Sequence, residues 1–139
     1  MSKITRFGVS LDSELLRRFD ALIGKLGYGN RSEAIRDLIR DRLAIKDWES
    51  EKAETVGVLA LVYDHETREL TENLNAIQHR HIDLVVASTH IHLDAHNCLE
   101  VIILKGSSGL IRKISDRLLI TKSVKHGGLI RTTTGRHID

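Results

Sequence analysis

The chain has 139 residues, of which 41% are hydrophobic and 29% are charged, and its formal net charge is +2. This balance is typical of a globular protein and excludes a disordered chain, while so small a charge does not by itself argue for a nucleic-acid partner. The longest nearly apolar run, residues 56–63, is much shorter than the roughly 20 residues of a membrane span, and the start of the sequence lacks the apolar core of a signal peptide. We therefore expect a cytoplasmic protein that does not span a membrane.

Residues 6–11 alternate apolar side chains with polar or small ones, which is the period of a half-buried strand. Asp12 can cap a helix whose apolar residues fall at helical spacing, and Gly27 is a suitable stop for that helix. Asn30 followed by Glu33 resembles a capping box and predicts the start of a second amphipathic helix. The N-terminal segment is thus predicted to be a strand, a helix, a turn and a helix.

The predicted strand has no partner within its own segment. A unit of about 45 residues with one strand cannot satisfy that strand's hydrogen bonds or bury enough surface to fold alone, so we expect it to pair with a copy of itself. Two such strands form an antiparallel ribbon, which fits the major groove of double-stranded DNA. Because Gly8 has no side chain to read a base, the operator sequence is not predicted. The outward face of the ribbon would carry Arg6, Gly8 and Ser10 of each subunit.

The stretches RFGVSLDSELL and NRSEAIRDLIR resemble the ribbon-helix-helix family of transcription factors. The resemblance implies that the second helix docks on DNA phosphates through the backbone amides of Asn30, Arg31 and Ser32, in keeping with anion binding at a helix N-terminus. We expect residues 1–50 to form this DNA-binding domain. The polar segment 44–55, which contains the only tryptophan, is interpreted as a linker, and extension of the preceding helix into it is left open.

The remainder of the chain alternates predicted strands and helices in the order βαββαβ. This is the order of the ferredoxin-like split unit, a four-stranded antiparallel sheet with two helices on one face. The predicted fold class is therefore α+β, with residues 51–139 as the second domain. All eight histidines lie at or after His65, which indicates that the two domains have different chemistry.

The stretch THIHLDAHNCLE, residues 89–100, combines two histidines with the only cysteine of the chain. His90 and His92 are two residues apart on a predicted strand, so their side chains leave the same face. If the chain reverses over an odd number of residues, Cys98 faces His92 and Glu100 faces His90, at about 5 Å. Two imidazoles and a thiolate can then bind one metal ion, with Glu100 orienting a ligand histidine. A single thiol cannot form a disulfide within the chain, so its other roles are a buried or a reactive thiol.

A fourth ligand is expected from a second histidine cluster, QHRH at residues 78–81. From Asp83 to His90 an extended strand advances roughly 23 Å, so this cluster lies at the far end of the strand from the other donors. We therefore expect the fourth ligand to come from another subunit. Pairing through the ribbon and pairing through this site together predict at least a tetramer. The remaining histidines are interpreted as structural or surface residues: His65, His96, His126 and His137.

The pattern QHRH, THIHLDAHNCLE and VKHG, downstream of a ribbon-helix-helix unit, resembles the nickel-responsive regulator family over essentially the whole chain. The resemblance implies an ACT-like C-terminal domain that binds one Ni(II) per subunit at the interface of a homotetramer, a dimer of dimers. It implies that His90, His92 and Cys98 are ligands from one chain. It also implies His79 as the ligand from the neighbouring chain, with His81 as the alternative.

The same resemblance implies further roles for individual residues. Tyr63 and Glu100 match positions that support the metal ligands, and Glu33 and Asp37 match residues that hold a second cation between the domains. The implied function is a nickel-responsive, sequence-specific DNA-binding repressor of nickel uptake genes, and not an enzyme. Three imidazoles and a thiolate also suit copper or zinc, so the donors alone do not select the metal.

Two other functions remain open from the sequence. An ACT-like module could instead sense an amino acid or another metal, and an antitoxin-type regulator also joins a ribbon-helix-helix unit to a partner-binding C-terminus. A metalloenzyme is disfavoured because catalysis needs an open coordination position and a nearby general base.

Overall fold

A computed structural model of the chain describes residues 3–139. The chain divides into two compact units, the first running to Leu43 and including His137–Asp139, and the second formed by Ala44–Arg136. Within the described residues, every helix is too short or too polar to traverse a lipid bilayer. The elements, in chain order, are α1 (Ser13–Leu26), α2 (Arg31–Glu49), β1 (Glu54–Asp64), α3 (Glu69–Arg80), β2 (Val85–His92), β3 (Asn97–Ser107), α4 (Ser108–Leu119) and β4 (Val124–Arg131).

Helix α1 begins and ends at the residues that the sequence predicts. The carboxylate of Asp12 accepts hydrogen bonds from the backbone N–H groups of Glu14 at 2.9 Å and Leu15 at 3.2 Å, which satisfies two of the unpaired donors of the first turn. At the other end Gly27 adopts φ 85°, a left-handed conformation that costs glycine little, and its N–H returns to the carbonyl of Gly24. Both predicted caps of α1 are confirmed.

The predicted strand over residues 6–11 is not formed within one chain. Residues 3–12 carry no helix or strand, and the apolar side chains of Phe7 and Val9 are 68% and 60% exposed. A strand needs a neighbour for its backbone hydrogen bonds, and the described part of the first unit offers only helices. Among the described residues of this unit only Ile23 and Ala34 are buried. So small a core agrees with the prediction that the unit pairs with a second copy, which stays a prediction.

Helix α2 continues through the first part of the polar segment 44–55, for which the sequence predicts a linker. Residues 44–49 are helical, so the alternative in which the preceding helix extends into this segment is confirmed and a linker over the whole of 44–55 is wrong. The reason is Trp48, which is 3% exposed within the core of the second unit and donates its indole N–H to the carbonyl of Thr132 at 2.9 Å. Burying an indole with its N–H satisfied stabilises the continued helix, and no glycine or proline interrupts it.

The second unit is a four-stranded antiparallel sheet in the order β2-β3-β1-β4. Together with α3 and α4 it forms the predicted βαββαβ arrangement, so the α+β fold class is confirmed. Alternate residues of β1 and β3 are buried, and they form one core with apolar residues of both helices, so both helices cover the same face of the sheet. Strand β2 lies at the edge of the sheet and is largely exposed.

Candidate metal centre

The turn between β2 and β3 is fixed by Asp94. Its carboxylate accepts hydrogen bonds from the side-chain amide of Asn97 at 2.8 Å and from the backbone N–H groups of His96 and Asn97, each at 2.8 Å. The Asn97 amide, followed by these backbone N–H groups, lowers the pKa of Asp94 to about 2. The backbone N–H of Leu93 bonds to the carbonyl of Asn97 at 2.9 Å and closes the hairpin. This turn therefore sets the register of the two strands.

The register places the opposing residues as the odd-numbered reversal predicts. His92 pairs with Cys98 and His90 pairs with Glu100 across β2 and β3. All four side chains lie on the sheet face that the helices cover, because Cys98 and Glu100 belong to the buried set of β3. The predicted cross-strand register is confirmed.

Three potential donor atoms converge at this end of the hairpin. The side chains of His90, His92 and Cys98 offer ligand atoms that all lie within 4.8 Å of one another. The sulfur of Cys98 is 3.3 Å from Nδ1 of His92, and the two imidazole rings are 4.9 Å apart between centroids. Cys98 is fully buried, whereas both histidines are exposed at the edge strand. An ion could therefore approach the imidazoles from solvent and contact the sulfur beneath them.

The thiol of Cys98 is held in its protonated form. Burial raises its pKa, and the negative charges of Glu100, Asp94 and Asp64 raise it further. Because a thiolate is the metal ligand, binding of an ion here must displace the thiol proton. The affinity of this site for a metal ion should therefore depend on pH.

Tyr63 and Glu100 form a hydrogen-bonded group with His90. Nδ1 of His90 lies 2.9 Å from a carboxylate oxygen of Glu100 and 2.8 Å from the Tyr63 hydroxyl, which itself donates to Glu100 at 3.3 Å. Burial, followed by the charge of Glu100, raises the pKa of Tyr63 to about 12, so its hydroxyl keeps its proton. When Nδ1 of His90 donates to Glu100, the Nε2 atom is left as the metal donor.

The histidines near the end of α3 do not join these donors within one chain. His79 lies in the last turn of α3 and is exposed, while His81 caps the helix and donates its backbone N–H to the carbonyl of Ile77 at 2.8 Å. Within residues 3–139 the cluster of metal-binding side chains contains neither of them. A fourth ligand from another subunit stays a prediction, and the greater exposure of His79 favours it over His81.

One neighbour of the site was not assigned to it from the sequence. The ring of His65 lies edge-on to that of His92 with centroids 6.0 Å apart, and its backbone N–H bonds to the carbonyl of His96 at 3.1 Å. The signal for this proximity is the pairing of β1 with β3, which sets Asp64 opposite Asn97. No hydrophobic periodicity of the sequence specifies that pairing.

The residues predicted to contact DNA lie in the first unit. Arg6, Gly8 and Ser10 are exposed within residues 3–12, which form no helix or strand, so the side chains of Arg6 and Ser10 are accessible. A Cβ atom at position 8 would have no other atom within 4 Å, so the packing does not require glycine there.

At the start of α2, side chains are occupied by contacts within the unit. The side-chain oxygen of Asn30 accepts from the backbone N–H of Glu33 at 2.9 Å, which is the predicted N-cap. Arg31 makes two hydrogen bonds to Asp20, at 2.8 and 2.7 Å, and this guanidinium lowers the pKa of the Asp20 carboxyl. These contacts leave backbone amides of the first turn as the groups that could bind a phosphate, while Ser32 is exposed.

Glu33 and Asp37, the predicted second cation site, are one turn apart on α2. The carboxylate of Asp37 accepts a hydrogen bond from the Tyr28 hydroxyl at 2.7 Å and pairs with Arg40 at 3.5 Å. Glu33 and Asp37 do not belong to any cluster of three or more metal-binding side chains within residues 3–139. The second cation site stays a prediction.

An exposed N-terminal arm followed by two capped helices, joined to an α+β domain with a His-His-Cys donor cluster, defines a DNA-binding regulator that carries a metal site. Comparison with known families agrees with this class. The family model described as the NikR C terminal nickel binding domain matches residues 56–132, and the model of the ribbon-helix-helix proteins of the copG family matches residues 5–46.

Relatives match along nearly the whole chain. One from Geobacter sulfurreducens is 52% identical over 138 residues, which cover 99% of each chain, and one from Solibacter usitatus is 53% identical over 135 residues, which cover 97% of each. One from Pyrococcus furiosus is 50% identical over 97% of this chain and 98% of its own. All three are provisionally named nickel-responsive regulators. The chain belongs to the nickel-responsive regulator family.

A comparison of structures matches an uncharacterized protein from Thermotoga maritima with a TM-score of 0.48 and 13% identity, over 55% of this chain and 95% of that one. Family membership identifies the chain as a DNA-binding transcription regulator, rather than an enzyme, with a nickel-binding C-terminal domain. The donor cluster fits that metal, because imidazole nitrogens and a thiolate are ligands that first-row divalent ions such as nickel accept.

Proposed function

We propose that this protein is a repressor of nickel uptake genes that binds its operator when Ni(II) is bound, with one nickel per subunit. The observation that carries the proposal is the convergence of three donor atoms, from His90, His92 and Cys98, within 4.8 Å of one another on one chain. His79 of a neighbouring chain is the proposed fourth ligand. The assembly is then a homotetramer in which ribbons and metal sites form two kinds of subunit contact.

The residues around the donors have separate roles in this proposal. Glu100 accepts a hydrogen bond from Nδ1–H of His90, and the Tyr63 hydroxyl donates to Glu100, so the ring of His90 is held in one orientation. Cys98 loses its proton on binding and provides the anionic donor. A bound nickel ion supplies a coordinate link between donors on two chains.

Residues 1–50 are the proposed DNA-binding domain, and residues 51–139 are the proposed metal-binding and oligomerisation domain. Two chains would pair their segments around Arg6, Gly8 and Ser10 into a ribbon that enters the major groove, where Arg6 and Ser10 supply the side chains. The backbone amides at Asn30, Arg31 and Ser32 would bind phosphates and position the ribbon. Since its operators are genomic DNA, the proposal places the protein in the cytoplasm.

Nickel binding would act by shifting a population. The link between His79 of one chain and the hairpin of another would restrict the arrangements of the tetramer and favour those in which both ribbons reach two operator half-sites. Only a difference in metal affinity between arrangements can produce such a shift. Glu33 and Asp37 are proposed to hold a second cation in the DNA-bound form.

The test is a gel-shift titration on DNA selected for binding, with nickel and with a chelator. We expect tight binding with nickel and much weaker binding with chelator, and we expect Cys98→Ala to bind DNA equally weakly in both conditions while still forming dimers. Ser88→Ala, an exposed substitution on the same strand β2, is the matched control and should keep the nickel response. Equal DNA affinity of the unmodified protein with nickel and with chelator would contradict the proposal.

A further inference from the structure

The pairing of β1 with β4 has one irregularity, near the end of β1 that faces the start of β3. The consecutive β1 residues Val62 and Tyr63 are opposite His126 and Val124. Lys125 is therefore left without an opposite residue on β1. An extra residue of this kind forms a β-bulge, which bends its strand and changes the direction of a side chain. The exposed side chain of Lys125 is thus not placed by the regular alternation of β4.

The ammonium group of Lys125 reaches the turn between β2 and β3. Its Nζ atom donates a hydrogen bond to Oδ1 of Asn97 at 2.5 Å, although Asn97 is on β3 and β1 lies between β3 and β4. Adjacent strands are about 4.8 Å apart, so the contact extends across the end of a whole strand. Only a long side chain can make a contact over two strand spacings.

This hydrogen bond fixes the orientation of the Asn97 amide. An ammonium group can only donate, so the amide oxygen faces Lys125 and the amide nitrogen faces the other way. Nδ2 of Asn97 donates to both carboxylate oxygens of Asp94, at 3.1 and 2.8 Å. Lys125, Asn97 and Asp94 therefore form a chain of hydrogen bonds that joins a cation to an anion through a neutral amide. We refer to this chain as the Lys125 network.

The Lys125 network ends at the carboxylate that determines the turn between the two strands carrying the metal donors. Asp94 accepts a hydrogen bond from the backbone N–H of Asn97, and the carbonyl of Asn97 accepts two backbone N–H groups from the other side of the turn. Cys98 follows Asn97 directly, and His92 is the last residue of β2. A movement of this turn would therefore displace His92 relative to Cys98.

An exposed hydrogen bond of a lysine is usually without consequence, because surface substitutions seldom change the free energy of unfolding by much. Two observations distinguish the contact of Lys125. The bulge removes Lys125 from the regular pairing of β4, and the acceptor is the same amide that binds Asp94. Such a contact acts on the position of the turn rather than on global stability. Its effect is therefore expected in metal binding and not in unfolding.

We propose that Lys125 is a positioning residue for the nickel site, which keeps His92 opposite Cys98 through the Lys125 network and does not touch the ion. The inference rests on the proposed function, because it requires that nickel binds to these donors. Without the ammonium group the turn populates more conformations, and the ion binds only the fraction in which the donors converge. The apparent nickel affinity falls in proportion to that fraction.

The test is the nickel affinity of the full-length protein, measured by competition with a chelator. Lys125→Met keeps a long aliphatic side chain but removes the donor, and we expect roughly tenfold weaker binding, as for other groups that support a metal ligand. Lys125→Arg keeps a cationic donor and should retain most of the affinity. Lys105→Met is the matched control, since it removes an exposed lysine that lies 3.7 Å from Glu54 at the other end of the sheet. It should bind nickel as the unmodified protein does.

Two further measurements separate positioning from a role in folding. Urea unfolding of the metal-free protein should have the same midpoint in Lys125→Met as in the unmodified protein. Asn97→Ala removes the acceptor of the lysine, so in that background Lys125→Met should weaken nickel binding no further.

Four results would overturn the inference while leaving the proposed function intact. They are unchanged nickel affinity in Lys125→Met, equal losses in Lys125→Met and Lys105→Met, no recovery in Lys125→Arg, and losses that add in the double variant with Asn97→Ala. A lower urea midpoint of Lys125→Met would also overturn it, because the loss of affinity would then follow from folding. Absence of nickel binding by the unmodified protein would overturn both the inference and the proposed function.

Discussion

Cys98 and His92 face each other across β2 and β3, with Sγ of the cysteine 3.3 Å from Nδ1 of the histidine. The contact joins a fully buried side chain to an exposed one. The two side chains differ in exposure because β2 is an edge strand. Its side chains on the helix-covered face remain open to solvent, whereas those of β3 do not. Metal binding at this point needs little rearrangement within one chain.

Removing the hydroxyl of Tyr63 should weaken nickel binding without unfolding the protein. In Tyr63→Phe the ring still fills its place in the core, but the hydrogen bonds to His90 and Glu100 are lost. Loss of a group that supports a metal ligand typically costs about 10-fold to 100-fold in affinity. Nickel affinity measured by competition with a chelator checks this. Tyr28→Phe, which removes the hydroxyl that bonds to Asp37 in the first unit, is the matched control and should keep full affinity.

Removing the carboxylate of Glu100 should loosen the orientation of His90 and also lower the pKa of Cys98. Glu100→Gln keeps the size of the side chain but removes the negative charge beside His90, so the neutral amide holds the ring less firmly. The same change also removes one cause of the raised pKa of Cys98, so the metal-free thiol should titrate at lower pH. Absorbance of the thiolate against pH measures the second effect. An unchanged thiol titration would show that Glu100 does not influence Cys98.

Nickel affinity should rise with pH. Burial and nearby carboxylates raise the pKa of Cys98 in the metal-free protein, so below that raised pKa each binding event must release the thiol proton. One proton released corresponds to roughly a tenfold gain in apparent affinity for each unit of pH, continuing until the thiol is ionised. Titrations at about pH 6, 7 and 8, with proton release measured in weakly buffered solution, check this. Affinity that does not change over this range would contradict a thiolate ligand.

The hydrogen bonds that the Asp94 carboxylate accepts in the turn should stabilise the fold at neutral pH, and protonation in acid should remove this stabilisation. The pKa of Asp94 falls from its ordinary value of 3.8 to about 2 on folding, so its contribution is complete above about pH 4 and is lost as pH falls through about 2. Asp94→Asn, which cannot accept the same set of hydrogen bonds, should have a lower Tm than the unmodified protein at neutral pH, and the difference should shrink towards pH 2. Asp83→Asn, an exposed acid before β2, is the control. A difference in Tm that is constant with pH would assign the effect to packing.

Truncating Trp48 should destabilise the second unit strongly. Trp48→Ala removes an indole that is 3% exposed and leaves the carbonyl of Thr132 without its donor, and changes of this kind typically cost about 3–5 kcal/mol. Trp48→Phe keeps much of the apolar contact and should cost less. Urea unfolding followed by circular dichroism measures both. Ile45→Ala, at a half-exposed position on the same helix, should change the free energy of unfolding far less.

The hairpin of β2 and β3 can be predicted from the sequence because it is determined by residues that are close together in the chain. Period-two spacing places His90 and His92 on one face, and an odd reversal fixes the residues opposite them, so the three donors follow from short-range geometry alone. The caps of α1 are equally local. The extension of α2 could not be predicted in this way, because it depends on Trp48 meeting Thr132, a residue 84 positions later in the chain.

The remaining differences concern partners that are distant or lie on another chain. The ribbon strand is predicted by alternation, but within one chain its backbone has no neighbouring strand. The approach of His65 to His92 depends on the pairing of β1 with β3. The proposed fourth metal ligand likewise belongs to another chain, so its prediction depends on the length of β2 and not on contacts within one chain.

The burial of Cys98 also affects how fast its thiol reacts with oxidants. Peroxide and alkylating reagents attack the thiolate, and a thiol that is fully enclosed and kept neutral reacts with them slowly. The only thiol of the chain is therefore shielded in the metal-free state. Slow reaction with oxidants would leave the proposed metal ligand intact while the site is empty.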